Sequence, residues 1–191
     1  MTARTDLTAP TPLTHLGLEL GRLRLLVLDL LETAASRGWL RAGPRTDGQL
    51  WPSLDEVRRA LLHGRPDGGV TTEAAGRAQA RLIDDLLSRP GADRLPIPQL
   101  TAAFALPRAA VDTLLLAAGC ATDPALRAAV QLWQRDPRAV ALDAELARLL
   151  AGGRLDPFGA LLRHRLLAAD ERFGRTLLSA PSSAPSAGTL S

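Results

Sequence analysis

Few side chains in this sequence stand at the spacings that chemistry requires. Its three histidines, His15, His63 and His164, are far apart, and none has a second histidine or a cysteine at metal-ligand distance along the chain. They read as surface or helix-end residues. Cys120 is the lone cysteine; set beside leucines and alanines, it reads as a small buried hydrophobe with no histidine to activate it. Asp84 and Asp85 are adjacent, and on a helix whose apolar face carries Leu82 and Leu86 their side chains diverge into solvent instead of sharing a proton. No Gly-x-Ser-x-Gly elbow is present. Lysine is absent from all 191 residues, which excludes both Schiff-base chemistry and the phosphate-binding P-loop. Gly64, Gly68 and Gly69 therefore read as a loop, not a phosphate cradle. The expectation is no catalytic residue, no metal ligand, no cofactor and no small-molecule substrate.

Composition narrows the partners. Arginine and lysine together number 23 against 20 acids, a net charge of +3. The high isoelectric point, about 10.7, follows because without lysine or tyrosine almost nothing titrates between the carboxylates and the arginines. The positive charge is spread along the chain, so bulk attraction to nucleic acid or a membrane is weak. Residues 23–31 form the most apolar run near the start, but Arg24 and Asp29 interrupt it, and no run reaches the ~20 residues needed to span a bilayer. With no signal-peptide pattern and a single cysteine, the expected location is the cytoplasm.

The elements that must position any site are mostly helical. Thr11 and Pro12 read as an N-cap and first helical residue, after which Leu13, Leu16, Leu20, Leu23, Val27, Leu31 and Ala34 recur every three or four positions up to a stop at Gly38. Leu25, Leu26, Leu28 and Leu30 broaden this stripe, so the helix is either sandwiched or offered to a partner. Ser53 and Glu56 make a capping box for a short helix buried through Leu54, Val57 and Leu61. A third helix over 72–88 carries Ala75, Ala78, Leu82 and Leu86 on one face. Residues 95–118 outline a helix-turn-helix about Leu106 and Pro107. Asp123-Pro124, Asp136-Pro137 and Asp156-Pro157 then each start a helix, the second running to Leu150. Residues 165–169 and 175–179 flank a turn and read as a β-hairpin, hence a wing.

The predicted fold is mainly α: a flexible N-terminus over 1–11, a helical region over 12–92, a winged-helix-like region with a small C-terminal hairpin over 93–179, and a disordered tail of proline, serine and alanine over 180–191. Two surfaces are predicted. Leu16, Leu23, Leu26 and Val27 on the first helix would bind a protein partner or a second copy. Arg108 at the start of the second helix-turn-helix element, with Arg163, His164, Arg165, Arg172 and Arg175 around the wing and Arg154 nearby, would touch nucleic acid or a partner. Apart from Arg108, only Asp112 and Thr113 on that helix are polar enough to reach a base, which favours protein contact over DNA reading.

The order of segments carries a resemblance. Leu100, Phe104 and Leu106 followed by Asp112 and leucines 114–116, then Asp123, Pro124 and Leu126, then the leucine-rich residues 140–150, then Leu161, Leu162, Arg163 and His164, together resemble the winged-helix region that precedes the ATPase module in bacterial AAA-type ATPases of contractile injection systems. The likeness runs in order over residues 13–179. It implies an assembly or adaptor role, the alternative class being a winged-helix transcriptional regulator. Where the family has a tyrosine and a polar arm after the Asp123 phrase, this chain has residues 127–133 ending in Trp133, which leaves partner contacts there unspecified. The missing P-loop lysine keeps ATP hydrolysis out of what the resemblance implies.

Overall fold

The computed structural model describes residues 10–40, 52–63, 71–152, 159–172 and 175–179. The predicted loop around Gly64, Gly68 and Gly69, the Asp156-Pro157 helix start, Arg154, the N-terminal arm up to residue 9 and the tail over 180–191 lie outside them. The first helix, α1 (Pro12–Ser36), begins where the sequence places it, with the Thr11 hydroxyl accepting from the Thr14 amide at 3.1 Å. It stops at Gly38, whose φ of 74° turns the chain so that the Trp39 amide reaches the Ala34 carbonyl at 2.8 Å. Leu23, Leu25, Val27, Leu28, Leu31 and Ala34 are all buried, and they occupy more than one face. The helix is therefore sandwiched.

That corrects the predicted partner surface. Leu23 and Val27, at 0% and 1% exposure, belong to the chain's own core, and Leu26 packs half-buried against it; Leu16, at 38%, keeps a substantial solvent face. The stripe was read with the right period, but its apolar area is covered by the rest of the chain.

Helix α2 (Leu54–Leu61) carries the full capping box, with the Ser53 amide and hydroxyl both donating to Glu56 Oε2, and buries Val57 and Leu61. Helix α3 (Thr72–Leu87) lies on α1, where Gln79 Nε2 donates to the Leu18 carbonyl at 2.9 Å. Its buried residues are Ile83 and Leu86, while Ala78 and Leu82 are exposed. The predicted face was thus turned by about one position, because alanines at 75 and 78 gave the pattern no strong phase. Asp84 and Asp85 are exposed, as expected.

A 3-10 turn (Ala92–Arg94) leads into α4 (Pro96–Phe104), and Ala105 in the left-handed region (φ 49°) makes the tight turn into α5 (Arg108–Thr122). The turn is where the sequence put it, but the second helix is no reading head. Nine of its residues are buried, including Asp112 and Thr113, because α5 crosses the middle of the core. Helix α6 (Pro124–Gln134) follows at 105° to α5, its first amides held by Asp123 Oδ1. The sharp crossing needs Gly119, since a Cβ there would stand 2.7 Å from Leu126 Cδ1.

After Asp136-Pro137 the chain does not enter a helix as predicted. It makes a turn closed by the Ala139 amide on the Asp136 carbonyl and then enters β1 (Leu142–Asp143), and α7 (Ala144–Leu150) starts only at the Asp143 cap. Helix α8 (Gly159–Arg163) and the predicted hairpin, β2 (Ala168–Arg172) and β3 (Arg175–Ser179), complete the fold. All pairs are antiparallel, in the order β1-β3-β2, with Leu142 opposite Leu178 and Ala169 opposite Leu178 on the other side. From β1 onward the order is strand, two helices and two strands, with the last strand central, and the α4 and α5 pair marked by the sequence lies outside it.

One core cluster runs from Leu23 through Val57 and Leu116 to Leu178, so the helical and winged-helix-like regions share their interior. No single described helix is long and apolar enough to cross a membrane. Each fully buried leucine contributes about 1.5–3 kcal/mol through area removed from water. Leu23→Ala should lower the unfolding free energy by about 2–5 kcal/mol in urea titrations; a change within ~0.5 kcal/mol, typical of a surface position, would contradict its placement.

Candidate functional site

A second stripe lies beside the leucines of α1: His15, Glu19 and Arg22, at spacings of four and three, share one helical face. The fold lays this face against the first turn of α5, which adds Arg108 and Asp112, themselves four residues apart. Arg108 grips Glu19 with both terminal nitrogens, Nη1 to Oε1 at 2.7 Å and Nη2 to Oε2, and its Nε lies 3.1 Å from Asp112 Oδ1. Arg22 completes the ring, donating from Nε to Glu19 at 3.2 Å and from Nη2 to Asp112. Two guanidinium groups thus neutralise two carboxylates that have almost no solvent of their own: Glu19 is 0% exposed and Asp112 is 5%. Further along α1, Arg24 pairs with Asp123, the α6 cap, at 2.9 Å.

The fifth member is His15, buried at 1% exposure. It is neither a surface nor a helix-end residue. Its Nε2 has no hydrogen-bond partner and lies 3.6 Å from Glu19 Oε1, too long for a bond. Burial lowers the pKa of His15 below its ordinary value; Glu19 works against that shift, and Arg108 adds to it. Burial alone would raise the Glu19 carboxyl, but the hydrogen bonds and charge of Arg108, then of Arg22, outweigh it and hold the pKa low. At Asp112 burial wins over the charges of Arg22 and Arg108, so its pKa is raised. Burial would lower Arg108, but Glu19 and Asp112 raise it.

Three of these residues, His15, Glu19 and Arg108, form the polar floor of a cleft of about 560 Å³. Leu87 of α3, Ala92 and Asp93 of the 3-10 turn, Ile97, Pro98, Thr101 and Ala102 of α4 and Val111 of α5 make walls that are mainly apolar. Beneath them, Leu86, Ala92 and Leu95 form a small separate core against Leu18. A wide apolar cleft with a few fixed polar groups at its base is suited to taking a ligand's or partner's apolar group and orienting it. Glu19 is committed to Arg108 and Arg22, while the His15 imidazole and Asp93 also line the cleft.

The remaining predicted contacts are not gathered here. Arg108 is drawn into the ring, its side chain 47% exposed. Arg163, His164 and Arg165 are exposed at the end of α8, where His164 leans on Phe104 at 4.9 Å between ring centroids and Arg165 takes a left-handed conformation (φ 57°). Arg172 and Arg175 face each other across the hairpin, and their side chains lie outside the described residues. Cys120 is fully buried, as expected, and burial pushes its thiol up to about 12. Among the described residues no three of His, Cys, Asp or Glu cluster as metal ligands would. The ring went unread in the sequence although His15, Glu19 and Arg22 display its α1 half; only the pairing with α5 reveals what that half meets. No family model, no curated protein and no solved structure matches the chain.

The buried imidazole sets a pH dependence. A histidine that is harder to protonate folded than unfolded adds stability above its unfolded pKa, near 6.5, and that stability is lost as pH falls below it. The unfolding free energy should therefore drop between pH 7 and pH 5, and His15→Gln should reduce that drop; an identical pH profile in the variant would refute the assignment.

Proposed function

We propose that this chain is a non-catalytic interaction module that seats the apolar side chains of a protein partner in the cleft between α1, α3, α4 and α5. The observation that carries this reading is the cleft itself, with mainly apolar walls over a floor whose charges are neutralised in place. A floor of that kind favours binding over proton transfer, since Glu19 is held ionised by two arginines. The flanking helices present Leu13 at 81%, Leu16 at 38%, Leu82 at 51% and Leu87 at 37% exposure, which adds apolar area on the same two helices, α1 and α3. Of the predicted partner-binding residues Leu16, Leu23, Leu26 and Val27, this reading thus retains Leu16. The resemblance in residues 100–167 supports an AAA-type ATPase of a contractile injection system as the partner, and the unpaired thiol of Cys120 suits a reducing cytoplasm.

A photoreactive amino acid at Ala102, on the cleft wall, should crosslink to a protein partner in cells, and Leu87→Asp should abolish the crosslink with a stability change within ~0.5 kcal/mol. Recovery of crosslinks only between copies of the chain would make the partner a second copy. No protein adduct would end the proposal.

A specific observation favours a second reading. Arg163, His164 and Arg165 are consecutive, exposed and placed just before the hairpin of a winged-helix-like part, where a duplex backbone would lie. In that case retention on duplex DNA should fall steeply with salt, and Arg163→Ala and Arg165→Ala should each reduce the slope by about one. No retention at low salt would eliminate it.

A further inference from the structure

A second recess, sharing no lining residue with the cleft, lies between the C-terminal turn of α1, helix α6 and the start of α7. Trp39, Leu40, Trp133, Asp143, Glu145 and Leu149 line about 280 Å³. Three features of it are unusual together. Trp39 is 53% exposed, although a tryptophan left in water forfeits more apolar burial than any other side chain. It is nevertheless held in place, by its own amide on Ala34 and by Arg135 Nη2 on its carbonyl at 2.7 Å. Two tryptophans and two acids then line one recess with no basic residue among the described lining, although Arg37 and Arg135 touch Trp39 from outside it.

Helix capping accounts for part of this. Asp143 Oδ1 accepts the Glu145 amide at 2.6 Å, and both acids suit the start of α7. Capping does not account for the tryptophans, nor for the exposed Glu145 carboxylate, which no described residue pairs with. An indole face carries negative charge density, and a nearby carboxylate reinforces it, so the group that fits is a cation with a flat or apolar surface. The chain itself illustrates the preference, since the Arg37 guanidinium lies 5.2 Å from the centre of the Trp39 ring. The volume suits a single side chain and falls below the usual range of a whole small-molecule pocket, about 300–1,000 Å³. Among cationic side chains, a guanidinium can both stack on an indole and bind a carboxylate through paired donors, which an ammonium cannot do.

We infer that the Trp39, Trp133, Asp143 and Glu145 recess is a binding site for an arginine side chain presented by a basic segment of a protein partner. The inference stands on the recess alone and does not require the cleft to be occupied.

The test uses the full chain, labelled with ¹⁵N, and follows the indole N–H signals of Trp39, Trp51 and Trp133 while a blocked Gly-Arg-Gly peptide is added. The neutral, nearly isosteric citrulline peptide is the control. Trp39→Leu, a change at a half-exposed position, identifies the Trp39 signal. The Trp39 and Trp133 signals should shift saturably with the arginine peptide and not with citrulline. Glu145→Gln should weaken the arginine peptide roughly two- to fivefold. A lysine or trimethyl-lysine peptide binding more tightly than arginine would overturn the guanidinium assignment. Equal shifts with citrulline, movement of Trp51 alone, or no shift at millimolar peptide would overturn the site.

Discussion

A carboxylate placed in the middle of a leucine-rich helix is the constraint around which the structure is arranged. Glu19 has no solvent, and an unpaired charge there would cost several kcal/mol. It is tolerable only where α5 brings Arg108 into a two-pronged grip and Arg22 closes the ring onto Asp112. Leucine stripes alone would let α1 slide or rotate against α5 at small cost, since one leucine contact resembles the next. The ion ring removes that freedom, because a displacement of one helical turn would break the Arg108–Glu19 and Arg22–Asp112 contacts between the helices and leave only the pairs within each helix. With α1 fixed on α5, the Arg24 and Asp123 pair ties the α6 cap to the same helix, and the close crossing at Gly119 follows.

The same ring shapes the cleft. It places polar groups at the base of an otherwise apolar hollow and cancels their charges against each other. The imidazole of His15 is the exception, buried beside the ring with an Nε2 that no described residue hydrogen-bonds. A native structure rarely leaves a buried polar atom in that state without a reason. Together with the exposed leucines of α1 and α3, it makes this end of the molecule the best supported place for a contact. The C-terminal part contributes differently: α7 packs on a three-stranded sheet whose Leu142 and Leu178 are fully buried, while Arg163, His164 and Arg165 are exposed.

Most local signals were readable where a single residue decides the outcome. Thr11, Ser53 and Asp123 cap helices through their own side chains and Gly38 turns the chain with a positive φ, whereas the cap expected at Asp136 is made at Asp143. Such features depend on neighbours within four residues. Strand β1 was missed because two residues carry no period of their own, and they become a strand only by pairing with β3. The face of α3 was misplaced for a related reason: alanine is small enough to sit on either side of a helix, so packing against α1 chose Ile83 and Leu86.

The sequence by itself determined the mainly helical class, most helix boundaries, the C-terminal hairpin and the absence of a P-loop lysine, because these rest on residue type, period and local capping. It also displayed the polar stripe of His15, Glu19 and Arg22, but a stripe does not say what it faces. Only the tertiary structure decided that Leu23 and Val27 are core, that Arg108 holds a buried carboxylate, that β1 pairs with β3, and that Trp39 and Trp133 line one recess. Each of those depends on residues roughly 30 to 100 positions apart, and contacts over such distances are set by how whole surfaces pack, which no local pattern encodes.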